Sequence, residues 1–177
     1  MKIALCGAHS TGKTTLFRAC QCALDHEDIT FIEEVARQVI AAGLPLNQDA
    51  TVEAYSCFIE KQLRAERLAV TKHVIADRCV LDVLAYMYAN RAPHIPVHFQ
   101  NMVEELVQWE QRVFDVVCYL PPEVELALDD VRPADRTYRS TVDKQYGCIF
   151  QKLDIKHMVV KGEISERVRL IRQVLGV

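Results

Sequence analysis

Residues 7–15, with the sequence GAHSTGKTT, match the pattern G-x-x-x-x-G-K-[ST] at every fixed position. Gly7 and Gly12 allow the backbone to turn so that its N–H groups face inward as a nest for an anion. The Lys13 ammonium adds a cation, and the Thr14 hydroxyl adds a ligand for Mg²⁺. This segment, called the phosphate loop below, therefore predicts a site for the phosphates of a nucleotide. The candidate binding residues are Gly7, Ser10, Thr11, Gly12, Lys13, Thr14 and Thr15.

This sequence lacks the additional motifs that define two other classes of nucleotide-binding protein. A GTP-dependent switch needs Asp-x-x-Gly and Asn/Thr-Lys-x-Asp, but no aspartate begins the first pattern and residues 71–74 read TKHV. A remodelling ATPase places Asp-Glu at the end of a strand, whereas this chain has Asp77-Arg78. A cation in place of the water-activating carboxylate favours transfer to a second substrate over hydrolysis. The sequence thus predicts a kinase that uses ATP and Mg²⁺, and a non-kinase ATP-binding switch is the alternative.

Charged side chains that suit an acceptor follow the second apolar run. Glu34 is placed to orient or deprotonate an acceptor hydroxyl, and Arg37 is placed to bind the acceptor or its phosphate. The spacing of three predicts that both lie on one helix face. An ordinary surface ion pair explains the same spacing.

Three arginines occur later at spacings of four and three. Arg132, Arg136 and Arg139 are predicted to share one helical face within a lid of about residues 129–147. Such arginines neutralise the charge that spreads over a transferred phosphoryl group. A solvated face is the alternative interpretation, and His9 is interpreted as a tolerated loop residue.

The elements that position these residues alternate between short apolar runs and amphipathic helices. Runs that are almost continuously apolar predict parallel strands buried on both faces, hence an α/β fold with a three-layer arrangement. The predicted strands are residues 2–6, 30–32, 73–77, 113–120 and 158–160. The predicted helices are residues 13–24, 34–42, 49–70, 80–90, 97–109, 133–153 and 165–175. The carboxyl ends of such strands carry the site.

These segments together resemble the P-loop nucleoside and nucleotide kinases, near thymidylate kinase and the deoxynucleoside kinases. Closer still is the resemblance to the ribosylnicotinamide-kinase-like group and its phage relatives, often labelled AAA-type ATPases. The resemblance rests on the phosphate loop, on EVAR at residues 34–37, on the Asp77-Arg78 strand end, on the arginine-rich lid and on GEISER at residues 162–167. It spans nearly the whole chain.

The resemblance implies a P-loop NTPase fold with strand order 2-3-1-4-5 and a short helical lid. It also implies that Asp77 lies near Mg²⁺ or acts as a base, that Arg78 contacts the substrate, and that residues 162–167 lie near the adenine. The choice between Glu34 and Asp77 as general base stays open. Relatives often dimerise through helices, so residues 49–70 are a possible homodimer surface, although core packing explains their apolar face equally well.

The acceptor also stays open at this point. It is expected to be a nucleoside or a nucleotide, and a phage-type alternative is 5-hydroxymethyluracil within DNA. The net charge of −3 speaks mildly against a polymeric substrate.

Size and composition predict one domain over residues 1–177. No apolar run has the ~20 residues that a membrane span needs. The seven cysteines lack disulfide or metal-binding spacing. We therefore expect a cytoplasmic protein without a membrane partner, in the host cytoplasm if phage-encoded.

Overall fold

The computed structural model describes residues 1–25, 27–90, 95–123 and 136–177. Its five strands form one parallel sheet in the order β2-β3-β1-β4-β5. The strands are β1 (Lys2–Cys6), β2 (Ile29–Ile32), β3 (His73–Asp77), β4 (Val116–Tyr119) and β5 (His157–Val159). The helices are α1 (Lys13–Ala23), α2 (Ala36–Ala41), α3 (Val52–Leu68), α4 (Val80–Asn90), α5 (Val97–Glu110), α6 (Arg136–Lys152) and α7 (Ile164–Leu175). A short 3₁₀ helix covers Asn47–Asp49.

Alternate residues of each strand contribute to two separate cores, because successive side chains point to opposite faces of a sheet. Ile3 and Leu5 of β1 pack with α1 and α7 on one face. Ala4 and Cys6 pack on the other face, in the core that includes α3, α4, α5 and α6. The sheet is therefore the middle of three layers, which confirms the predicted fold class and strand order.

Most predicted boundaries are within two residues of the observed ones. Helix α3 begins three residues later than predicted, at Val52. Two other differences change the assignment of particular residues. The strand predicted at residues 113–120 is only four residues long, because Val113 and Phe114 donate their backbone N–H groups to Glu110 O and continue the end of α5 as a turn. The helix predicted from residue 34 begins at Ala36, so Glu34 precedes it. The lid residues before Arg136, including Arg132, lie outside the described residues.

None of the described helices combines the length and the apolar content that a membrane-spanning helix needs.

Two buried glutamates connect three helices beneath the start of α4. The Val80 backbone N–H donates to Glu110 Oε1 at 2.8 Å, and the Gln62 amide donates to Glu66 Oε1 at 2.8 Å. Burial raises the pKa of Glu110 well above its usual value, and the charge of Glu66 raises it further. Burial also raises the pKa of Glu66. We interpret the two carboxyl groups as sharing one proton, which would relieve the repulsion between them.

We predict that Glu66→Gln stabilises the protein at pH 8. A carboxyl group whose folded-state pKa is raised contributes stability below its unfolded pKa and loses it as pH rises, so a neutral amide should remove that loss. The expected gain is about 1 kcal/mol, or roughly 2–4 °C in the unfolding midpoint. Thermal unfolding from pH 5 to pH 8 measures it.

The gain should shrink as the pH falls toward 5. Glu60→Gln, an equivalent change at an exposed position of α3, is the control and should show no such trend. A Glu66→Gln midpoint equal to or below that of the wild type at pH 8 would contradict the shared-proton interpretation.

Candidate active site

The phosphate loop lies between the end of β1 and the start of α1, and Gly7 sets its path. The backbone of Gly7 has φ 142°, in the range that favours glycine. A Cβ at this position would lie 2.4 Å from the Leu120 carbonyl oxygen, at the end of the neighbouring strand β4. Leu120 in turn donates its backbone N–H to Cys6 O at 2.9 Å. No side chain fits where β1 and β4 bring these backbones together.

The N-terminus of α1 presents its N–H groups without a capping side chain. Gly12 is the N-cap, with φ 88° and no side chain to cap the helix, and the first turn has no acidic residue. Uncapped N–H groups and the positive end of the helix dipole bind anions. The sequence therefore leaves this helix end suited to a phosphate.

Lys13 lies within the loop that it is predicted to serve. Its ammonium donates to Gly7 O at 2.7 Å and to Ala8 O at 2.6 Å. The residue is only 4% exposed. Burial, and then the nearby Arg78 charge, lowers the Lys13 pKa to about 7, although Asp82, Asp77 and Glu34 act in the opposite direction.

Three side chains from α6 and α7 reach the phosphate loop from the C-terminal half of the chain. The Tyr146 hydroxyl contacts Gly7 O at 3.1 Å. Arg139 donates to Ser10 O at 3.4 Å. Arg167, which is buried, donates to Thr11 O at 3.2 Å and to Gly162 O at 2.8 Å. Helices remote in sequence thus hold the loop in place.

Asp77 ends β3 beside the phosphate loop. The residue is 1% exposed, and neither carboxylate oxygen has a hydrogen-bond partner among the described residues. Burial raises the Asp77 pKa, whereas Arg78, Lys13 and the Thr14 hydroxyl favour its charged form. A buried carboxylate with unused lone pairs next to a hydroxyl is a donor set that suits a hard divalent cation.

Arg78 forms a buried ionic cluster with Glu34 and Asp82. Its Nε donates to Glu34 Oε1 at 2.5 Å, and its Nη1 donates to Asp82 Oδ1 at 2.8 Å. The three side chains are between 3% and 8% exposed. Burial alone lowers the pKa of Arg78, but Glu34, Tyr86 and Asp82 outweigh burial and hold the pKa well above its usual value. We call Glu34, Arg78 and Asp82 the arginine cluster.

Further bonds fix the geometry of the arginine cluster. The Arg78 backbone has φ 93°, an unfavourable conformation for a residue other than glycine. Its N–H donates to Leu5 O at 3.0 Å, and its carbonyl accepts from Gln62 at 3.0 Å. Asp82 Oδ2 accepts the Cys79 backbone N–H at 3.1 Å, while Asp82 Oδ1 accepts the Tyr146 hydroxyl at 2.9 Å.

A cleft opens above the arginine cluster, next to the phosphate loop. It encloses about 590 Å³ of empty space, part of it open to solvent. Its charged lining comes from Glu34, Arg37, Arg78 and Asp82, and its loop side from His9. Its apolar lining consists of Ala36, Ile40, Leu46, Tyr55, Phe58, Val83 and Tyr86. A cleft with an apolar lining and a few convergent polar groups is typical of a small-molecule site.

His9 connects the loop to an aromatic group at the back of the cleft. Its Nδ1 lies 3.3 Å from the Tyr86 hydroxyl, and its ring stacks on Tyr138 with centroids 5.8 Å apart. The Tyr138 hydroxyl donates to Asn90 Oδ1 at 2.7 Å, and Asn90 donates to Tyr55 at 2.9 Å. His9 is therefore part of the cleft wall as well as of the loop.

The structure brings most of the predicted site residues together. Glu34 and Arg37 both line the cleft, but Glu34 pairs with Arg78 and not with Arg37. Arg139 reaches the phosphate loop, and Arg136 is exposed in the first turn of α6. Arg132 lies outside the described residues.

Sequence reasoning missed Asp82 and Tyr146. Asp82 follows Arg78 by four residues at the start of α4, and this i,i+4 spacing is a usable signal for an ion pair. Tyr146 is 64 residues from Asp82 and 139 from Gly7, so no local pattern could have identified it.

Comparison with known families decides the classification. The pattern of a family described as AAA domain matches residues 2–167. The chain belongs to this AAA-domain family. No curated protein sequence matches the chain.

Solved structures show which fold this AAA domain has. NadR protein in complex with NR has a TM-score of 0.74 and 18% identity, covering 99% of this chain and 52% of that chain. A second NadR structure, with NAD and AMP-PNP, has a TM-score of 0.66, 18% identity and coverages of 99% and 49%. The chain thus spans about half the length of NadR.

Two further structures match over nearly their whole length. Deoxyadenosine kinase from M. mycoides, with products dCMP and a flexible dCDP bound, has a TM-score of 0.67, 17% identity and coverages of 99% and 99%. Thymidylate kinase from Ehrlichia chaffeensis has a TM-score of 0.63, 16% identity and coverages of 99% and 98%. The AAA domain has the fold of the P-loop nucleoside and nucleotide kinases.

We predict that Gly7→Ala destabilises the protein by at least ~2 kcal/mol and weakens the binding of AMP-PNP at least tenfold. The added methyl group meets the Leu120 carbonyl in a backbone conformation that only glycine adopts easily. Denaturant unfolding and calorimetric titration measure the two effects. Gly147→Ala in α6, where a Cβ meets nothing within 4 Å, is the matched control and should be neutral or slightly stabilising.

We predict that AMP-PNP binding takes up protons between pH 7.5 and 9. A Lys13 pKa of about 7 leaves the amine partly neutral in this range, and phosphates bind its ammonium form. Affinity should therefore fall as pH rises, by at most tenfold per unit. Calorimetry in buffers of different ionisation enthalpy measures the uptake.

Lys13→Arg, which stays charged throughout, should bind with little pH dependence over the same range. An equal binding enthalpy in all buffers at pH 8, with a flat affinity profile, would contradict the lowered pKa.

Proposed function

We propose that the protein is a Mg²⁺-dependent phosphotransferase that moves the γ-phosphoryl group of ATP to a nucleoside or nucleotide acceptor, in the manner of a thymidylate-kinase-like enzyme. The observation that carries this proposal is the position of the cleft. It lies beside the phosphate loop, shares His9 with it, and has the carboxylate of Glu34 and the guanidinium of Arg78 in its lining. A second substrate there would lie next to the donor phosphates.

The assignment of ATP as phosphoryl donor depends on the phosphate loop and on the residues that hold it in place. Inward N–H groups, the N-terminus of α1 and the Lys13 ammonium suit the β- and γ-phosphates of ATP. The bound AMP-PNP in a NadR structure of the same fold supports an adenine nucleotide. Arg139 next to the loop, with Arg136 and Arg132 as further lid candidates, would neutralise charge on the transferred group.

Thr14 and Asp77 are the residues that would hold Mg²⁺. The buried oxygens of Asp77 lie beside the Thr14 hydroxyl, and oxygen donors of this kind fit the ion. The described residues contain no group of three or more His, Cys, Asp or Glu side chains that could hold a metal ion. At Thr14 and Asp77 the cation would also bind nucleotide phosphates and neutralise their charge.

Glu34 is the better candidate for the general base, because it is among the described residues that line the cleft and Asp77 is not. The acceptor oxygen forms a bond to the γ-phosphorus as the bond from that phosphorus to the β,γ-bridging oxygen breaks. ADP leaves, and the acceptor proton passes to the carboxylate. Arg78 and Arg37 would orient the acceptor.

Radiolabelled ATP tests the proposal most simply. The label on the γ-phosphate is followed in the presence of Mg²⁺ and a panel of nucleosides, nucleoside monophosphates and duplex DNA containing 5-hydroxymethyluracil. We expect label in one acceptor class together with ADP. Label that appears only in inorganic phosphate would contradict a kinase, and label in DNA would identify a polymeric acceptor.

We predict that Lys13→Ala lowers kcat/KM for the labelled acceptor at least 100-fold, because the variant loses the cation that binds the phosphates. Lys156→Ala, the same change at an exposed position after α6, is the control and should leave the rate unchanged. Equal rates for the two variants would remove Lys13 from the mechanism.

Two variants, Asp77→Asn and Glu34→Gln, distinguish the proposed metal ligand from the proposed general base. Asp77→Asn should raise the Mg²⁺ concentration for half-maximal rate at least tenfold, since it removes a charged oxygen ligand. Glu34→Gln should lower kcat at least 100-fold with an unchanged Mg²⁺ requirement. The reverse pattern in titrations with MgCl₂ would exchange the two roles.

A further inference from the structure

The Tyr146 hydroxyl lies between a carboxylate and a backbone carbonyl. Its oxygen is 2.9 Å from Asp82 Oδ1 and 3.1 Å from the Gly7 carbonyl oxygen. Burial, and then the Asp82 charge, raises the Tyr146 pKa well above its usual value, so the hydroxyl keeps its hydrogen. Because a phenol has a single hydrogen, the two acceptors compete for one well-aligned hydrogen bond.

The Tyr146 ring is held in place, so the competition concerns the hydrogen atom alone. The residue is fully buried, and its ring packs against Tyr119 and Phe150 with centroids 5.6 Å and 6.0 Å away. Rotation about the bond between the ring and the hydroxyl oxygen moves the hydrogen from one acceptor toward the other while the ring stays where it is.

The two acceptors differ in charge and in their other donors. Asp82 Oδ1 is charged and also accepts from Arg78 Nη1 at 2.8 Å. The Gly7 carbonyl oxygen is neutral and also accepts from the Lys13 ammonium at 2.7 Å. Hydrogen bonds to a charged acceptor are the stronger ones. We therefore expect Tyr146 to donate to Asp82 before a nucleotide binds, while Lys13 donates to Gly7.

A nucleotide at the phosphate loop changes this balance. The Lys13 ammonium lies within 3.3 Å of three oxygens of the loop itself, including Gly7 O, and it has three N–H groups to donate. A phosphate that takes one of these N–H groups weakens the donation to a buried loop oxygen, which is costly if no other donor replaces it. Tyr146 can replace it by turning its hydrogen from Asp82 to Gly7 O.

We propose that Tyr146 is a positioning residue that couples the cleft to the phosphate loop. Its hydroxyl donates to Asp82 before a nucleotide binds, and it turns to Gly7 when the nucleotide phosphates bind Lys13. The inference rests on nucleotide binding in the proposed function and adds a regulation of that site. Asp82 lines the cleft, so a ligand there that donates a hydrogen bond to Asp82 releases Tyr146 and tightens nucleotide binding. By linkage, the bound nucleotide tightens the binding of such a ligand by the same factor.

Tyr146→Phe tests the inference, because it removes the hydroxyl and keeps the ring. Calorimetric titration with AMP-PNP and Mg²⁺ at pH 7 measures the Kd. We expect the Kd to rise about fivefold, the usual effect of losing one hydrogen bond to a neutral acceptor. A wild-type protein that does not bind AMP-PNP would remove the proposed donor site itself, which is a different result from a Kd that Tyr146→Phe leaves unchanged.

Tyr88→Phe is the matched control. The Tyr88 hydroxyl contacts Glu104 and Lys152, and Tyr88 is not among the described residues that line the cleft. This variant should keep the wild-type Kd. Thermal unfolding of both variants measures their stability. A folded Tyr146→Phe protein that is less stable but binds AMP-PNP like the wild type has lost packing or a structural bond only, and this result would overturn the inference.

Asp82→Asn tests the competition from the other acceptor. The neutral amide is the weaker competitor for the Tyr146 hydrogen, so Gly7 O gains a donor and the Kd for AMP-PNP should fall. The loss of a negative charge near the loop also lowers the Kd, but that effect persists without Tyr146. A Kd that does not fall in Asp82→Asn overturns the inference, even if Tyr146→Phe fails to fold.

The double variant separates the two effects. The factor by which Asp82→Asn lowers the Kd should be at least about threefold larger in the wild-type background than in the Tyr146→Phe background, which is a typical coupling for residues in one hydrogen-bond network. Equal factors in the two backgrounds would show that charge alone acts on the loop and would overturn the coupling through Tyr146.

Discussion

The site depends on one buried cation, the Arg78 guanidinium, which is held between Glu34 and Asp82. The three residues of this cluster come from three places: Glu34 follows β2, Arg78 follows β3, and Asp82 lies at the start of α4. Because a buried charge without partners is very costly, these elements must meet in one arrangement. Tyr146 extends this constraint, since its hydroxyl lies within reach of both Asp82 and the Gly7 carbonyl. The cleft and the phosphate loop are thus connected through a few bonds.

The phosphate loop is similarly determined by its surroundings. Gly7 passes the end of β4 at a distance that excludes a side chain, and Arg167 from α7 donates to the loop carbonyl of Thr11. A loop held in this way can present its N–H groups without reorganising when phosphates bind. The proposed reaction uses this rigidity on the donor side and the charge of the arginine cluster on the acceptor side.

Sequence patterns predicted best those features that depend on residues close together along the chain. The phosphate loop, the five strands and the strand end at Asp77-Arg78 could be predicted because glycine, lysine and apolar runs have local causes. The strand order followed from the resemblance to the P-loop kinases. The pairing of Glu34 with Arg78 could not, since it joins residues 44 positions apart. The turn at Val113 and Phe114 was mistaken for strand because two apolar side chains fit either structure. Tyr146 carried no local signal at all.

The central claim is that this cleft holds a nucleoside or nucleotide acceptor beside the γ-phosphate of ATP. Phosphorus NMR of one reaction mixture, containing the protein, ATP, Mg²⁺ and the preferred acceptor, tests it directly. The account predicts that a resonance of the phosphorylated acceptor grows in equal amount with ADP, and that inorganic phosphate stays at background. ADP that accumulates with inorganic phosphate alone, or ATP that persists unchanged, would contradict the account.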